Sequence, residues 1–234
     1  MKLIKVGSQV PEAIIEEIKR YDSSEEGIYP VIEIVSIKEE DIEEKALEFL
    51  AASKPLFLCS KHASSLPILR AFNNVYPKNP GVIFFDAHID AEFDKDILND
   101  LVSIFNGENL VLVGCRRFGQ KELQFAKEHN IRLFSMKEIT SEGLREVSDS
   151  FMSIAKNFSD LYISIDIDVL DPAYAPGTGC PEPGGLSARE LLFFLHRLKR
   201  LRNLRAMDIA EVNPEHDINN LTVKAAAKII VELC

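Results

Sequence analysis

The chain lacks most of the features that narrow function at a glance. Basic residues are in deficit: 27 Lys and Arg stand against 37 Asp and Glu, a formal net charge of −10 over 234 residues. Proteins that grip nucleic acid or an anionic membrane cluster their Lys and Arg, so both partner classes are set aside. The balance suits a small cationic substrate without selecting one. Cysteine is scarce, and Cys59, Cys115, Cys180 and Cys234 lie far apart with no CxxC pair. That spacing argues against a structural zinc site and against a disulfide framework. No apolar run approaches membrane-spanning length, and Met1-Lys2-Leu3-Ile4-Lys5 soon turns acidic and amphipathic, unlike a signal peptide. A cytoplasmic enzyme is the expectation. Low-complexity tracts, internal repeats and linkers are also missing, so residues 1–234 read as one domain with a sizeable core.

What the chain does contain is alternation. Leu3–Val6, Val31–Val35, Leu56–Cys59, Val82–Phe85, Leu110–Val113, Ile131–Phe134, Leu161–Ile165 and Leu204–Ile209 are short and several are almost wholly apolar. Strands buried on both faces of a parallel sheet look like this. Between them Glu12–Tyr21, Glu39–Ala51, Leu66–Val75, Lys121–His129, Ser141–Ala155, Ala188–Leu198 and Leu221–Leu233 carry apolar residues at helical spacing. Ser187 with Glu190 three residues later is a capping box, and Ser141 with Glu142 is a further helix start. The pattern predicts an α/β fold of three layers, α/β/α, around a mostly parallel, doubly wound sheet.

Two clusters interrupt the pattern where buried strands should end. Asp86-Ala87-His88-Ile89-Asp90 follows the apolar Gly81-Val82-Ile83-Phe84-Phe85, and Asp166-Ile167-Asp168 follows Leu161-Tyr162-Ile163-Ser164-Ile165. An isolated carboxylate in such a place is costly unless something positive neutralises it. Residues two apart on an extended segment share a face, so each cluster can converge on one point. A third strand runs into Ser60-Lys61-His62 and offers His62 at the same level. Two imidazoles and four carboxylates without a thiolate favour manganese, with iron, cobalt, nickel and zinc as competitors. Four carboxylates around one divalent ion leave two charges uncompensated, whereas two ions balance them and lower the pKa of a shared water. Downstream, residues 171–185 hold four prolines and four glycines, which forbid helix and central strand but fix a loop shape suited to a site wall.

These motifs carry a family likeness. Asp86-Ala87-His88-Ile89-Asp90 resembles the DAHxD signature of the ureohydrolases (arginase, agmatinase, formiminoglutamase), and Ser164-Ile165-Asp166-Ile167-Asp168-Val169-Leu170-Asp171-Pro172 resembles their SxDxDxxDP signature. Asp208-Ile209-Ala210-Glu211-Val212-Asn213-Pro214 resembles their C-terminal segment, and Pro55–Leu69 resembles a degraded GGDHS segment. The resemblance implies two Mn²⁺ per subunit. His62, Asp86, Asp90 and Asp166 would hold one, and Asp86, His88, Asp166 and Asp168 the other. It also implies that Glu211 orients a substrate guanidinium, that Asp90 accepts a proton, that Cys180 lies against the substrate, and that the chain forms homotrimers or homohexamers.

This sequence departs from the family pattern in places. Cys59-Ser60-Lys61 replaces Gly-Gly-Asp before His62, Cys180 replaces a common threonine, and the stretch between Asp90 and Leu110 is short and lacks a histidine. The wording Pro176-Gly177-Thr178-Gly179 is closest to agmatinase-like members, so agmatine is the first expected substrate, ahead of formiminoglutamate or another guanidino acid. A member that binds metal but is catalytically silent is the alternative from another class.

Overall fold

The computed structural model describes residues 1–7, 11–89 and 97–234, so Asp90 lies outside the described residues. Its strands are β1 (Lys2–Val6), β2 (Glu33–Ile37), β3 (Pro55–Cys59), β4 (Pro80–Phe85), β5 (Leu110–Val113), β6 (Arg132–Phe134), β7 (Asp160–Asp166) and β8 (Leu204–Ala210). They form one sheet in the order β2-β1-β3-β8-β7-β4-β5-β6, and every pairing is parallel. All strands therefore deliver their carboxyl ends to one edge. The last strand in sequence, β8, is inserted between β3 and β7, and the loops that leave the neighbouring strand ends diverge there.

The helices are α1 (Glu12–Ile18), α2 (Ile42–Ala52), α3 (Ser65–Val75), α4 (Ile97–Leu101), α5 (Gln120–Glu128), α6 (Met136–Glu142), α7 (Leu144–Asn157), α8 (Ala188–Leu198) and α9 (Leu221–Leu233). Strand alternation divides the core between the two sheet faces. Leu56, Leu58, Ile83, Phe85, Ile163, Ile165, Met207 and Ile209 pack with Phe151 of α7, Phe194 of α8 and Ile230 of α9. Their sequence neighbours Phe57, Cys59, Val82, Phe84, Tyr162 and Ala206 pack with Leu50 of α2 and Phe72 of α3. The near-continuous apolar runs follow from this two-sided burial. Among the described residues no helix is long and apolar enough to cross a membrane.

Most expected elements coincide with observed ones, and the differences have local causes. The expected helix over Ser141–Ala155 is two helices, because Gly143 adopts φ +102 and breaks the chain between α6 and α7. The start at Ser141 is displaced accordingly: Ser135 caps α6 by accepting from the Glu138 N–H, and Ser141 instead bonds back to the Glu138 carbonyl. The Ser187–Glu190 capping box forms as expected. The strand expected at Val31–Val35 lies two residues later, as Glu33–Ile37, at the sheet edge where Val31 is exposed and its carbonyl takes up the chain's amino terminus.

Candidate metal centre

Five adjacent strands, β3, β8, β7, β4 and β5, build the site at their carboxyl ends. His62 opens a single 3₁₀ turn after β3, Asp86 follows β4 directly, and Asp166 is the last residue of β7. Expected alternation along an extended segment does not place Asp168, which sits in a 3₁₀ turn over Ile167–Val169. Asp166 caps that turn by accepting the Asp168 N–H at 2.9 Å, and the turn swings Asp168 towards β4. There Asp168 Oδ1 accepts the Ala87 N–H at 3.1 Å, while Asp86 accepts the His88 N–H at 2.7 Å. The carboxylates are thus tethered to backbone before any cation is considered.

The structure brings five of the six expected metal residues into two overlapping groups. His62, Asp86 and Asp166 form one, Asp86, His88 and Asp168 the other, and within each the donor atoms lie within 4.8 Å of one another. His62 Nδ1 is 3.2 Å from Asp86 and 3.5 Å from Asp166, and His88 Nδ1 is 2.9 Å from Asp168 and 3.5 Å from Asp86. Asp90, the sixth, lies outside the described residues.

Electrostatics show that these donors suit cations. Burial pushes the Asp166 carboxyl well up, and the charges of Asp168, Asp86 and Glu211 push it further. Burial also acts to raise Asp86, but hydrogen bonds from His62 and His88 outweigh it and hold Asp86 at about 2. Hydrogen bonds to Asp168 and then to Asp86 lift His88 to about 11. Protonated His88 supplies positive charge that the carboxylates need, a role divalent ions fill better. Among the described residues buried His88 Nε2 has no hydrogen-bond partner, so the ring is held through Nδ1 alone.

Behind His62 lies a layer to which the sequence reading gave no role, although Ser164 and Asp208 open two of the motifs. Ser164 faces Asp208 across the β7–β8 pairing and donates to it at 2.9 Å; Tyr162, also on β7, donates to it at 2.8 Å. All three are fully buried. Burial raises the Asp208 carboxyl, opposed by the His62 charge and the Tyr162 and Ser164 donors. The Ser164 hydroxyl has one proton and gives it to Asp208, so it must accept from His62 Nε2, 3.1 Å away. That assigns the proton of a neutral His62 to Nε2 and turns the Nδ1 lone pair towards Asp86 and Asp166. Polar residues inside otherwise apolar strands were the available signal.

Glu211 follows β8 and adopts φ +64, a left-handed conformation uncommon for a non-glycine residue. One carboxylate oxygen accepts the His62 N–H at 2.7 Å, and a Cβ built on Gly179 would stand 3.8 Å from the other. The proline-rich segment is held shut by Asp171, which accepts N–H groups from Ala173, Gly184 and Gly185 at 2.9, 2.7 and 3.2 Å. Arg116, also missed in the motifs, donates to the carbonyls of Asp168, Val169, Leu170 and Glu182 at 2.6–3.2 Å and pins that segment to the end of β5. Cys180 is exposed at the lip of this wall.

Comparison with known proteins agrees with this architecture. The Arginase family model matches residues 9–234. An arginase from Staphylococcus aureus (strain MSSA476) is 31% identical over 239 residues, covering 92% of this chain and 79% of its own length. An agmatinase from Bacillus subtilis (strain 168) is 32% identical over 202 residues, covering 82% and 67%. The crystal structure of formimidoylglutamase from Bacillus subtilis superposes with a TM-score of 0.88 at 26% identity, over 99% of this chain and 85% of that one.

Proposed function

The chain belongs to the arginase family, and on that premise we propose that it is a metal-dependent hydrolase of the amidine C–N bond of a small guanidino compound, with urea as one product. The observation that carries this reading is the pair of His/Asp groups sharing Asp86, set beside a carboxylate, Glu211, that the His62 backbone holds in place. His62, Asp86 and Asp166 would hold one divalent ion and Asp86, His88 and Asp168 the other, with Asp90 joining them by family resemblance. Carboxylate oxygens with imidazole nitrogens suit manganese. Ions held there supply Lewis acidity that makes water nucleophilic at neutral pH.

The protein's own groups do the remaining work. Glu211 has one oxygen committed to the His62 N–H, and its other oxygen is available to pair with a guanidinium and fix its plane. Asp90 is assigned the proton released when water attacks the amidine carbon. Tetrahedral collapse then expels the amine, which takes up the proton that Asp90 accepted, and leaves urea. Ser164 and Asp208 hold the His62 ring, and Arg116 holds the loop that carries Asp168. The expected assembly is a homo-oligomer, a trimer or hexamer, which light scattering on the purified chain would read.

The test is to load the full chain with Mn²⁺, count metal per chain, and assay arginine, agmatine, 4-guanidinobutyrate and formiminoglutamate for urea or formamide. Two ions per chain with turnover supports the reading, and Asp166→Asn should then lose both. Two ions bound with no product from any of the four compounds makes the chain a silent metal-binding member instead. The wording of Pro176–Gly179 puts agmatine first. The three relatives named above carry three different substrates in their names at comparable identity, so likeness does not rank them.

A further inference from the structure

We infer that Gly179 determines specificity at this site: because it has no side chain, the edge of the substrate's amidine can lie against the free oxygen of Glu211. The inference rests on the hydrolase reading and deepens it by naming the wall position that limits what Glu211 can pair with. The wall over residues 171–185 holds four glycines, and the fold accounts for three of them. Gly184 adopts φ +85, a left-handed conformation that disfavours any side chain. A Cβ on Gly177 would stand 2.6 Å from the Asp217 Cβ and 2.7 Å from the Asn213 carbonyl oxygen. One on Gly185 would stand 2.6 Å from the Asp171 backbone nitrogen and 2.7 Å from an Arg116 guanidinium nitrogen. Bonded or not, no carbon is tolerated that close to a neighbour's backbone, so packing demands both glycines.

Gly179 has neither reason. Its φ lies outside the left-handed range. Among the described residues beyond its chain neighbours, the only heavy atom within 4 Å of a Cβ built there is Glu211 Oε2, at 3.8 Å. That is an ordinary contact, so the protein itself has room for alanine. The residue is exposed, so the space is open to a ligand from solvent. What the missing side chain serves is therefore the oxygen it leaves uncovered. Oε1 of the same carboxylate accepts the His62 N–H at 2.7 Å, which directs an incoming cation to Oε2. Charge-assisted N–H···O contacts are about 2.7–2.9 Å long. A nitrogen at that distance and a methyl carbon 3.8 Å from the same oxygen cannot share one side of it without overlapping. Gly179 thus decides whether Glu211 can be reached from the wall side, and the ligand it admits is a planar amidine edge with free N–H donors.

The test uses the Mn²⁺-loaded full chain and whichever of arginine, agmatine, 4-guanidinobutyrate and formiminoglutamate it hydrolyses best. Gly179→Ala should lower kcat/KM by about 10- to 100-fold, mainly through KM. Metal content and thermal unfolding should stay as in the unsubstituted chain, because a contact at 3.8 Å asks no atom of the protein to move. Gly179→Ser should lose as much or more, since its hydroxyl can donate to Oε2 and occupy the acceptor. Gly119→Ala is the matched control. A Cβ there stands 3.6 Å from Glu122 Oε2 at the start of α5, also its sole contact within 4 Å among the described residues, and kcat/KM should not change. Unchanged kinetics in Gly179→Ala, or a loss accompanied by lost metal or lost stability, overturns the inference. If the unsubstituted chain hydrolyses none of the four compounds, the hydrolase reading fails separately, and calorimetric titration with millimolar methylguanidinium decides Gly179. Weaker binding in Gly179→Ala than in the unsubstituted chain supports it, and equal binding, or none in either, overturns it.

Discussion

Ser164→Ala should weaken one metal position far more than the other. The substitution removes the acceptor for His62 Nε2–H, 3.1 Å away, and the donor to Asp208, 2.9 Å away, at a residue with no solvent exposure. Water cannot replace those partners without a cavity, and a lost hydroxyl opens little room. A buried N–H left unpaired costs about 1–3 kcal/mol. The ring can avoid that cost by rotating or by moving its proton to Nδ1, and either removes the lone pair from Asp86 and Asp166. Since 1.4 kcal/mol is a factor of ten, affinity at the group containing His62 should fall about 10- to 100-fold, the range typical for losing an outer support of a metal ligand. The group containing His88 and Asp168 makes no direct contact with Ser164 and should be disturbed only through the shared Asp86. Calorimetric titration with Mn²⁺, alongside metal analysis after dialysis against graded Mn²⁺, should show the two positions further apart in affinity than in the unsubstituted protein. At limiting metal the variant should retain about one ion per chain. Equal weakening of both positions, or none, would refute the tautomer argument.

Asp208→Asn should weaken the same position, because an amide cannot accept from both Tyr162 and Ser164 with both its terminal atoms; metal titration reads it against Ser164→Ala. Arg116→Met deletes the donors that hold four carbonyls of the β7 and proline-rich loops, so it should lower thermal stability and the affinity of the Asp168 position together. Phe151→Ala, in the face packed by Phe85, Phe134 and Phe194, should cost about 3–5 kcal/mol in urea unfolding. Glu232 is fully buried on α9 and bonded to Lys228, to His196 at 2.8 Å and to the Glu25 N–H at 2.8 Å. Burial acts to raise its pKa, but these donors outweigh it and hold it below the ordinary value of 4.5. Its contribution is therefore complete above that value and is lost as pH falls through the depressed one. Glu232→Gln should cost about 1–3 kcal/mol near neutrality, with the gap closing in acid; a gap independent of pH would contradict the pairing.

The parts of this fold legible in the sequence were those where one physical rule acts alone. Strands buried on both faces leave unbroken apolar runs, and Leu110–Val113 was bounded correctly because nothing else competes there. The Ser187–Glu190 cap was legible because both halves of the device lie within one turn. Strand order was not, since the insertion of β8 between β3 and β7 depends on packing between distant segments. Residues of the metal groups announced themselves by charge at the ends of apolar runs. Their arrangement did not, because Asp168 reaches β4 through a 3₁₀ turn and not through alternation. Arg116 and Arg117 look equivalent in the chain, and only the neighbouring loop makes one of them structural and leaves the other half exposed.

Glu211 shows why a site of this kind draws on the whole sheet. A left-handed φ at a non-glycine residue costs free energy and persists only when its surroundings over-determine it. Here the strand that leads into Glu211 is clamped between β3, whose following turn supplies the His62 N–H, and β7, which supplies Ser164 and Tyr162 for Asp208 three residues earlier. The same hydrogen bonds that hold the backbone in this conformation therefore also set the His62 ring, the Asp208 carboxylate and the free oxygen of Glu211. The proposed substrate-orienting Glu211 and the candidate metal ligand His62 are coupled through β8, so a disturbance at either should register at the other.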